Sequence, residues 1–259
     1  MSAGSGTMSA TDAALLGTTL AAARSGPTIA RLSPAPSSVG DAEAVQMATL
    51  AALGAARGGW KVGRLEGQIF SAPMPVDHLD QRQPRLVLPA GSRIELELAL
   101  RFRHPLPARL DALDPLADAA DLVVLLEFVR TRFSNPATVT AIERIADCVS
   151  NERVVAVTSP APWSPAILEA PPPCRLLQDG KEIARHQGAH PAVPLLPLLE
   201  AWQRRCAEAG LASGPGEIIT LGSLTGVLPV PPAGARYRGE FTGLPPVECT
   251  VAPLAGGDR

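Results

Sequence analysis

Lysine is almost missing from this 259-residue chain: of its 23 basic residues only Lys61 and Lys181 are lysine, and the rest are arginine. Charge of one sign is also lacking, with 23 Lys+Arg against 25 Asp+Glu. That balance excludes the cationic footprint of a nucleic-acid binder or a polybasic membrane protein. Aromatic residues make up only 3%, so there is no stacking platform for single strands, and the core must come from Leu, Val, Ile and Ala. No apolar run reaches the ~20 residues that span a bilayer. The apolar stretch from Ala13 to Ala23 follows Asp12 and no Lys or Arg, unlike a secretory signal. Cys148, Cys174, Cys206 and Cys249 are widely spaced and form no C-x-x-C pair, which predicts free thiols in a reducing compartment. No G-x-G-x-x-G, P-loop or G-x-S-x-G element occurs, and His78, His104, His186 and His190 lack zinc-ligand spacing. These absences predict a cytoplasmic protein whose partner is a small molecule, with no nucleic acid and no membrane.

With 46% hydrophobic residues, the chain can bury a sizeable core. Residues 1–10 are small and polar and are expected to fray. Residues 11–259 read as a single domain, helical over 11–58 and strand-rich over 59–255. A first helix is expected from Thr11, capped by Thr11 or Asp12 and ending near Gly26-Pro27. A second is expected from about Asp41 to Ala56, with Ala44, Val45, Ala48, Ala52 and Ala55 on one face and Gly58-Gly59 stopping it. Beyond it, apolar positions alternate with period two between Pro and Gly punctuation. Ile94 to Leu100 alternates, and Leu122 to Phe128 is nearly continuous, as in a strand covered on both faces. Later helices are expected after Asn135-Pro136, carrying Val139, Ile142, Ile145 and Ala146, and from His190-Pro191 to Gly210, with Pro194 and Pro197 delaying the regular part. Glu217–Leu221 and Tyr237–Phe241 read as a strand pair, followed by Val247–Val251.

On a strand, Glu95 and Glu97 point to one face and Leu96 and Leu98 to the other, placing two carboxylates about 7 Å apart. A solvated face would tolerate them, with Arg93 and Arg101 as partners. An enclosed face would require a cation, and a hard divalent metal is the usual solution. Glu127, at the end of an apolar run, must pair with Arg130 or Arg132 or join a site. Three carboxylates from adjacent strands would form an oxygen-ligand set suited to Mg²⁺ or Mn²⁺. Lys61 lies in the glycine-flanked segment Gly58-Gly-Trp-Lys-Val-Gly63. A lysine can lose its proton where an arginine cannot, so a chain this poor in lysine has a chemical reason to keep Lys61. Lys181, in the turn-like Gln178-Asp-Gly-Lys181, reads as exposed.

Taken in order, Asp41-Ala-Glu-Ala-Val-Gln46, Gly59-Trp-Lys-Val-Gly63, Glu95-Leu-Glu97, Glu127, Ala146-Asp-Cys-Val-Ser-Asn151, Gly188-Ala-His-Pro191 and Gly216-Glu-Ile-Ile-Thr-Leu-Gly-Ser223 form a recognisable set. The chain resembles the 2-keto-4-pentenoate hydratase and 4-oxalocrotonate decarboxylase group of the fumarylacetoacetate hydrolase superfamily, from about Thr11 to Val251. The resemblance implies an α+β fold, a mixed, strand-rich rolled sheet with N-terminal helices packed against it. It implies Mg²⁺ or Mn²⁺ on Glu95, Glu97 and Glu127, Lys61 as the active-site lysine, Ser150 in the loop shaping the pocket, and Val62, Gly63, Gly222 and Ser223 along the substrate. The activity implied is hydration of a short 2-hydroxydienoate or 2-keto acid in aromatic-compound catabolism, by a homo-oligomer or in complex with a related pathway enzyme. The alternatives are a decarboxylase of 4-oxalocrotonate type, in which a spare arginine such as Arg64 would bind the second carboxylate, an acylpyruvate hydrolase or tautomerase, and a non-catalytic subunit of such an enzyme. Three departures mark a divergent branch. Arg64-Leu65-Glu66 runs straight into Gly67-Gln-Ile-Phe70, where the group usually has a Thr-Ser pair and a longer loop. Glu43 stands where the group often has tyrosine, and Cys148 where it often has asparagine.

Overall fold

A computed structural model describes residues 8–80, 84–106, 109–211 and 214–252. Helix α1 (Ala10–Ala23) is capped by Ser9, whose Oγ accepts from the Asp12 N–H at 3.1 Å. The Met8 N–H donates to Asp41 at 2.9 Å. Residues 8–10, expected to fray, therefore belong to the fold, and residues 1–7 lie outside the described residues. Helix α2 (Val39–Leu53) opens with a reciprocal Ser38–Asp41 capping box. It ends at Gly54 and not at Gly58-Gly59, because Gly54 takes a left-handed φ of 64° that closes the last turn. Its buried face is Asp41, Ala42, Val45, Gln46, Thr49 and Leu50, and Ala44 is exposed. An alanine-rich helix has too little hydrophobic contrast for its face to be read from spacing.

The strands follow as β1 (Arg57–Leu65), β2 (Gln68–Pro75), β3 (Leu79–Asp80), β4 (Arg85–Leu86) and β5 (Arg93–Phe102). After the short helix α3 (Pro115–Ala119) come β6 (Ala120–Val129), α4 (Ala141–Ala146), β7 (Asn151–Thr158) and α5 (Ala166–Glu169). The chain continues through β8 (Cys174–Gln178), β9 (Lys181–His186), α6 (Leu196–Glu208), β10 (Ile218–Thr220), β11 (Leu228–Pro229), β12 (Ala235–Phe241) and β13 (Val247–Val251). Asn135 caps only a single 3-10 turn, Pro136–Thr138, and α4 starts afresh behind a Thr140–Glu143 capping box.

Among the described residues the strands form two sheets. The larger runs β2-β1-β10-β5-β6-β7-β3, with β11 also on β5, and the smaller runs β4-β13-β12-β8-β9. Thus β10 does not pair with β12 as expected. It inserts between β1 and β5, parallel to the first and antiparallel to the second. The mixed, strand-rich α+β architecture is as expected. The main core lies between the sheets, where Leu96, Leu98, Leu100, Leu122, Val124 and Leu126 meet Tyr237, Val247 and the Trp202 face of α6. Each such side chain contributes roughly 1.5–3 kcal/mol on burial. Gly239 permits this approach, since a Cβ there would lie 2.4 Å from Leu96 Cδ1. The other face of the large sheet carries a second cluster in which Leu16, Leu20, Val45 and Ile145 pack with Phe70. No described helix is long and apolar enough to cross a membrane.

Candidate active site

Alternation along β5 buries Leu96 and Leu98 in the main core and turns Glu95 and Glu97 to the opposite face. In the β5–β6 register Glu127 stands directly across from Glu95. Like charges directly opposite are destabilising, yet all three carboxylates are buried and offer oxygens within 4.8 Å of one another. Glu127 therefore joins a site. Arg130 and Arg132 turn instead to Glu152 and Asp147.

The cation at the site is Lys61, whose Nζ lies 2.8 Å from Glu127 Oε2. It sits mid-strand in β1, paired with β2 on one side and β10 on the other, and not on a loop. Trp60 and Val62 point into the main core while Lys61 points to the carboxylates. Burial disfavours its charge, but Glu127, Glu95 and Glu97 outweigh that and hold its pKa above the ordinary lysine value. Burial first, then repulsion from Glu127 and Glu95, pushes the Glu97 pKa well up. The Glu127 pKa is raised by burial, with Lys61 opposing the rise.

Asn151, at the start of β7, donates Nδ2–H to Glu127 Oε1 at 2.9 Å. A register shift between Phe128 and Val129 accompanies this contact. The preceding turn is strained: Cys148, Val149 and Ser150 take φ of 50°, 47° and 65°. Left-handed geometry costs such residues of order 1–3 kcal/mol each. The turn is held by Ser150 N–H to the Asp147 carbonyl at 2.9 Å and Arg130 N–H to the Ser150 carbonyl at 2.7 Å. In this shape the Val149 carbonyl accepts from Lys61 Nζ at 3.4 Å. Ser150 thus lies in the turn that shapes the site, and the contact to Lys61 comes from its neighbour's backbone.

Gly222, at φ 105°, donates its N–H to Glu97 Oε2 at 3.3 Å and also lines a pocket of about 210 Å³ that none of the three carboxylates lines itself. That pocket is lined by Arg64, His190, Pro191, Ala192, Gly222 and Ser223. Ser223 Oγ donates to the Gly226 carbonyl at 3.2 Å. His190 Nδ1 accepts from the Ala192 N–H at 3.1 Å, which leaves the proton on Nε2. Burial brings the His190 pKa down to about 4, against the pull of the Gly222 backbone, so the ring is neutral at pH 7. Val62 and Gly63 do not line this pocket: Val62 is core, and Gly63 faces the Phe70 ring, 2.9 Å from where its Cβ would be.

The structure brings together Lys61, Glu95, Glu97, Glu127 and Gly222, with Ser150 in the adjoining turn and Ser223 in the adjoining pocket. Spacing alone did not single out Asn151. Its signal is a polar side chain entering a strand beside a buried acid. The donor set fits a hard divalent ion. Three enclosed carboxylates face one ammonium group, and Glu97 Oε1 is buried with no hydrogen-bond partner.

No protein-family model matches the chain, and no curated protein does. Solved structures do match. The chain is similar to 4-oxalocrotonate decarboxylase from Pseudomonas putida G7, complexed with magnesium and adipate, at 20% identity and TM-score 0.76, with 95% of this chain and 99% of that chain covered. The same enzyme complexed with calcium and acetate gives 19% identity and TM-score 0.74 over the same shares. Fumarylpyruvate hydrolase from Pseudomonas aeruginosa, in complex with Mn²⁺ and pyruvate, is similar at 14% identity and TM-score 0.52, covering 77% of this chain and 90% of that one. These likenesses establish the fold, the one that the sequence resemblance implied.

Proposed function

We propose that the chain is a divalent-metal-dependent lyase of the fumarylacetoacetate hydrolase superfamily, acting on a short 2-keto acid or its 2-hydroxydienoate tautomer, with Mg²⁺ or Mn²⁺ on Glu95, Glu97 and Glu127. The observation that carries this reading is three enclosed carboxylates beside a single lysine. An ion bound there supplies charge stabilisation for the oxygen of an enolate or dienolate. The other tasks fall to the chain itself. Lys61 offers N–H donors and positive charge to the substrate carboxylate, and its Nζ is placed to hold or pass a proton. Glu127 and the Val149 carbonyl fix the direction of that ammonium group. Asn151 fixes Glu127 in turn. Gly222 leaves room for substrate to approach, and the buried His190 keeps a neutral wall.

Hydration is the first reading. Ketonisation of the dienol makes its distal alkene electrophilic, and water adds there. A second reading, decarboxylation of a dicarboxylic 2-keto acid, is favoured by Arg64, whose guanidinium lines the pocket beside Gly222 and suits a second carboxylate. The similar decarboxylase is complexed with adipate, itself a dicarboxylate. Dialysed protein assayed for loss of dienoate absorbance and for carbon dioxide release, with and without Mg²⁺ or Mn²⁺, separates the two. Turnover that survives a chelator or Glu95→Gln sinks the metal role.

A further inference from the structure

A second cavity, of about 510 Å³, is lined by residues that the proposed reaction leaves unused, among them Arg24, His78, Arg130, Glu152 and Arg153. Arg24, at the end of α1, and Arg130, just after β6, are each only 7% exposed. Buried guanidiniums normally come matched with carboxylates. Arg132 is fully buried and takes Asp147 and Glu152, at 3.5 and 2.9 Å. Arg130 lies 3.7 Å from Glu152 and donates to the carbonyls of Ala23 and Arg24, at 2.9 and 2.5 Å. Arg24 forms no salt bridge among the described residues. Its Nη1 donates to His78 Nδ1 at 3.3 Å, and the Cys148 thiol stands beside it. Arg153 donates to the Asp77 carbonyl.

Four guanidiniums thus stand against the two carboxylates of Asp147 and Glu152. The carbonyl end of α1 offsets only about half an elementary charge. An arginine can only donate, so His78 Nδ1 is an acceptor and Nε2 carries the proton. Burial, then Arg24, Arg153 and Arg132, drives the His78 pKa down to about 3. The ring is therefore neutral at pH 7 and serves as one more N–H donor. A cavity with this much unmatched positive charge and this many donors is built for an oxyanion.

We propose that this cavity binds a phosphate-class dianion through Arg24, Arg153 and His78 Nε2. Leu53, Val87 and Leu88 form an apolar wall, which leaves space for an organic group carried by the phosphate. The inference requires nothing of the reaction proposed above.

Thermal unfolding of the full chain in a chelating buffer tests it, with inorganic phosphate, phenyl phosphate and sodium chloride compared at equal ionic strength. Phosphate at about ten times its dissociation constant raises the midpoint by about 3 °C over chloride. The gain disappears in Arg24→Met and in Arg153→Gln, whose half-exposed side chain makes it the variant safer for folding. A larger gain with phenyl phosphate identifies an ester as the ligand, and a smaller one identifies the free ion. Equal midpoints in phosphate and chloride, or a phosphate gain undiminished in Arg153→Gln, overturn the proposal.

Discussion

Lys61 Nζ and Glu127 Oε2 meet at 2.8 Å although their strands are not neighbours, since β10 and β5 lie between β1 and β6. Strands are spaced about 4.8 Å apart, so on a flat sheet the two backbones would stand roughly 14 Å from each other. The sheet must curl for the side chains to touch. The ion pair therefore reports the rolled shape as well as the chemistry, and its loss should be felt in both.

Lys61→Met leaves three buried carboxylates with no cation. Removing one partner of a buried pair costs about 3–5 kcal/mol, so the metal-free variant should unfold at clearly lower denaturant concentration. Mn²⁺ should return more stability to this variant than to the parent, because it supplies the missing charge. Catalysis should stay lost with metal present. Chemical denaturation with and without Mn²⁺ measures the first effect and dienoate turnover the second. A variant as stable as the parent without metal would contradict the placement of Lys61.

The raised pKa values of Glu97 and Glu127 fix the sign of a pH effect. Their folded values lie above the ordinary 4.5, so the folded metal-free protein holds protons that the unfolded chain releases. Their favourable contribution is complete below 4.5 and is lost as pH rises through the folded values. Lys61, raised above 10.5, keeps its contribution until the pH passes that value. Asp41, held at about 2 by the Met8 N–H and the Ser37 hydroxyl, titrates below the window. His78 and His190, whose folded values of about 3 and about 4 lie below the ordinary 6.5, pull the other way between pH 5.5 and 8, so the Glu97 share is read as a difference: chelator-treated Glu97→Gln should gain in melting midpoint on the parent as pH rises across that interval. Mn²⁺ affinity should rise over the same interval as protons leave the ligands. A midpoint in Glu97→Gln that tracks the parent at every pH would assign the effect to other groups.

The carboxylates were legible in the sequence because strand alternation has a fixed period of two, so Glu95 and Glu97 had to share a face. Lys61 stood out by scarcity, but its strand did not, since Gly58-Gly59 reads as a helix stop. The structure explains the second glycine, because a Cβ on Gly59 would come within 2.1 Å of the Ile218 carbonyl oxygen. That contact is long-range, made by β10 inserting next to β1, and local spacing carries no trace of it. The same insertion hid the true partners of Glu217–Leu221. Alanine blurred the face of α2, and helix limits differ where Gly54 closes α2 early and where Asn135 caps one turn and the chain then starts again at Thr140. Asn151 reaches the site through folding of a distant segment, which single-residue chemistry cannot announce.

Gly59→Ala tests that strand insertion directly. The added methyl would collide with backbone that cannot swing aside, so β1 and β10 must separate or shift register. A loss of about 3 kcal/mol or more is expected, of the size caused by severe overpacking, and insoluble expression would be the extreme form. Gly67→Ala is the control, because no atom lies within 4 Å of a Cβ there and its cost is confined to the φ of 81°. Equal melting midpoints for Gly59→Ala and the parent would overturn the β1–β10 pairing.

Asn151→Ala removes the amide that holds Glu127 Oε1. A buried carboxylate oxygen left without a donor costs about 1–3 kcal/mol. Groups that orient metal ligands typically change affinity 10–100-fold when they are lost. Titration of Mn²⁺ followed by electron paramagnetic resonance should show weaker binding by about that factor. Asn151→Ser tests whether a shorter donor recovers part of it. Unchanged Mn²⁺ affinity in Asn151→Ala would mean that Glu127 is held by Lys61 and the strand alone.

Arg64 decides between the two readings of the substrate. It follows Lys61-Val62-Gly63 on β1, and its guanidinium reaches the Ala192 carbonyl at 3.4 Å in the pocket that Gly222, the donor to Glu97, also lines. That bond is long and exposed, so it gives up little when a carboxylate arrives. If the substrate is a diacid, Arg64→Leu should raise KM by about 10–100-fold for the diacid, the range expected for one lost charge-assisted contact of about 1.5–3 kcal/mol. The monoacid dienoate should keep its KM, because nothing on it reaches Arg64. If the substrate is the monoacid, the added apolar surface should leave its turnover unchanged or slightly improved, and the parent should show no preference for the diacid. Steady-state kinetics of both acids on parent and variant separates the cases, and an equal loss for both would show that Arg64 serves the shape of the pocket and not the recognition of charge.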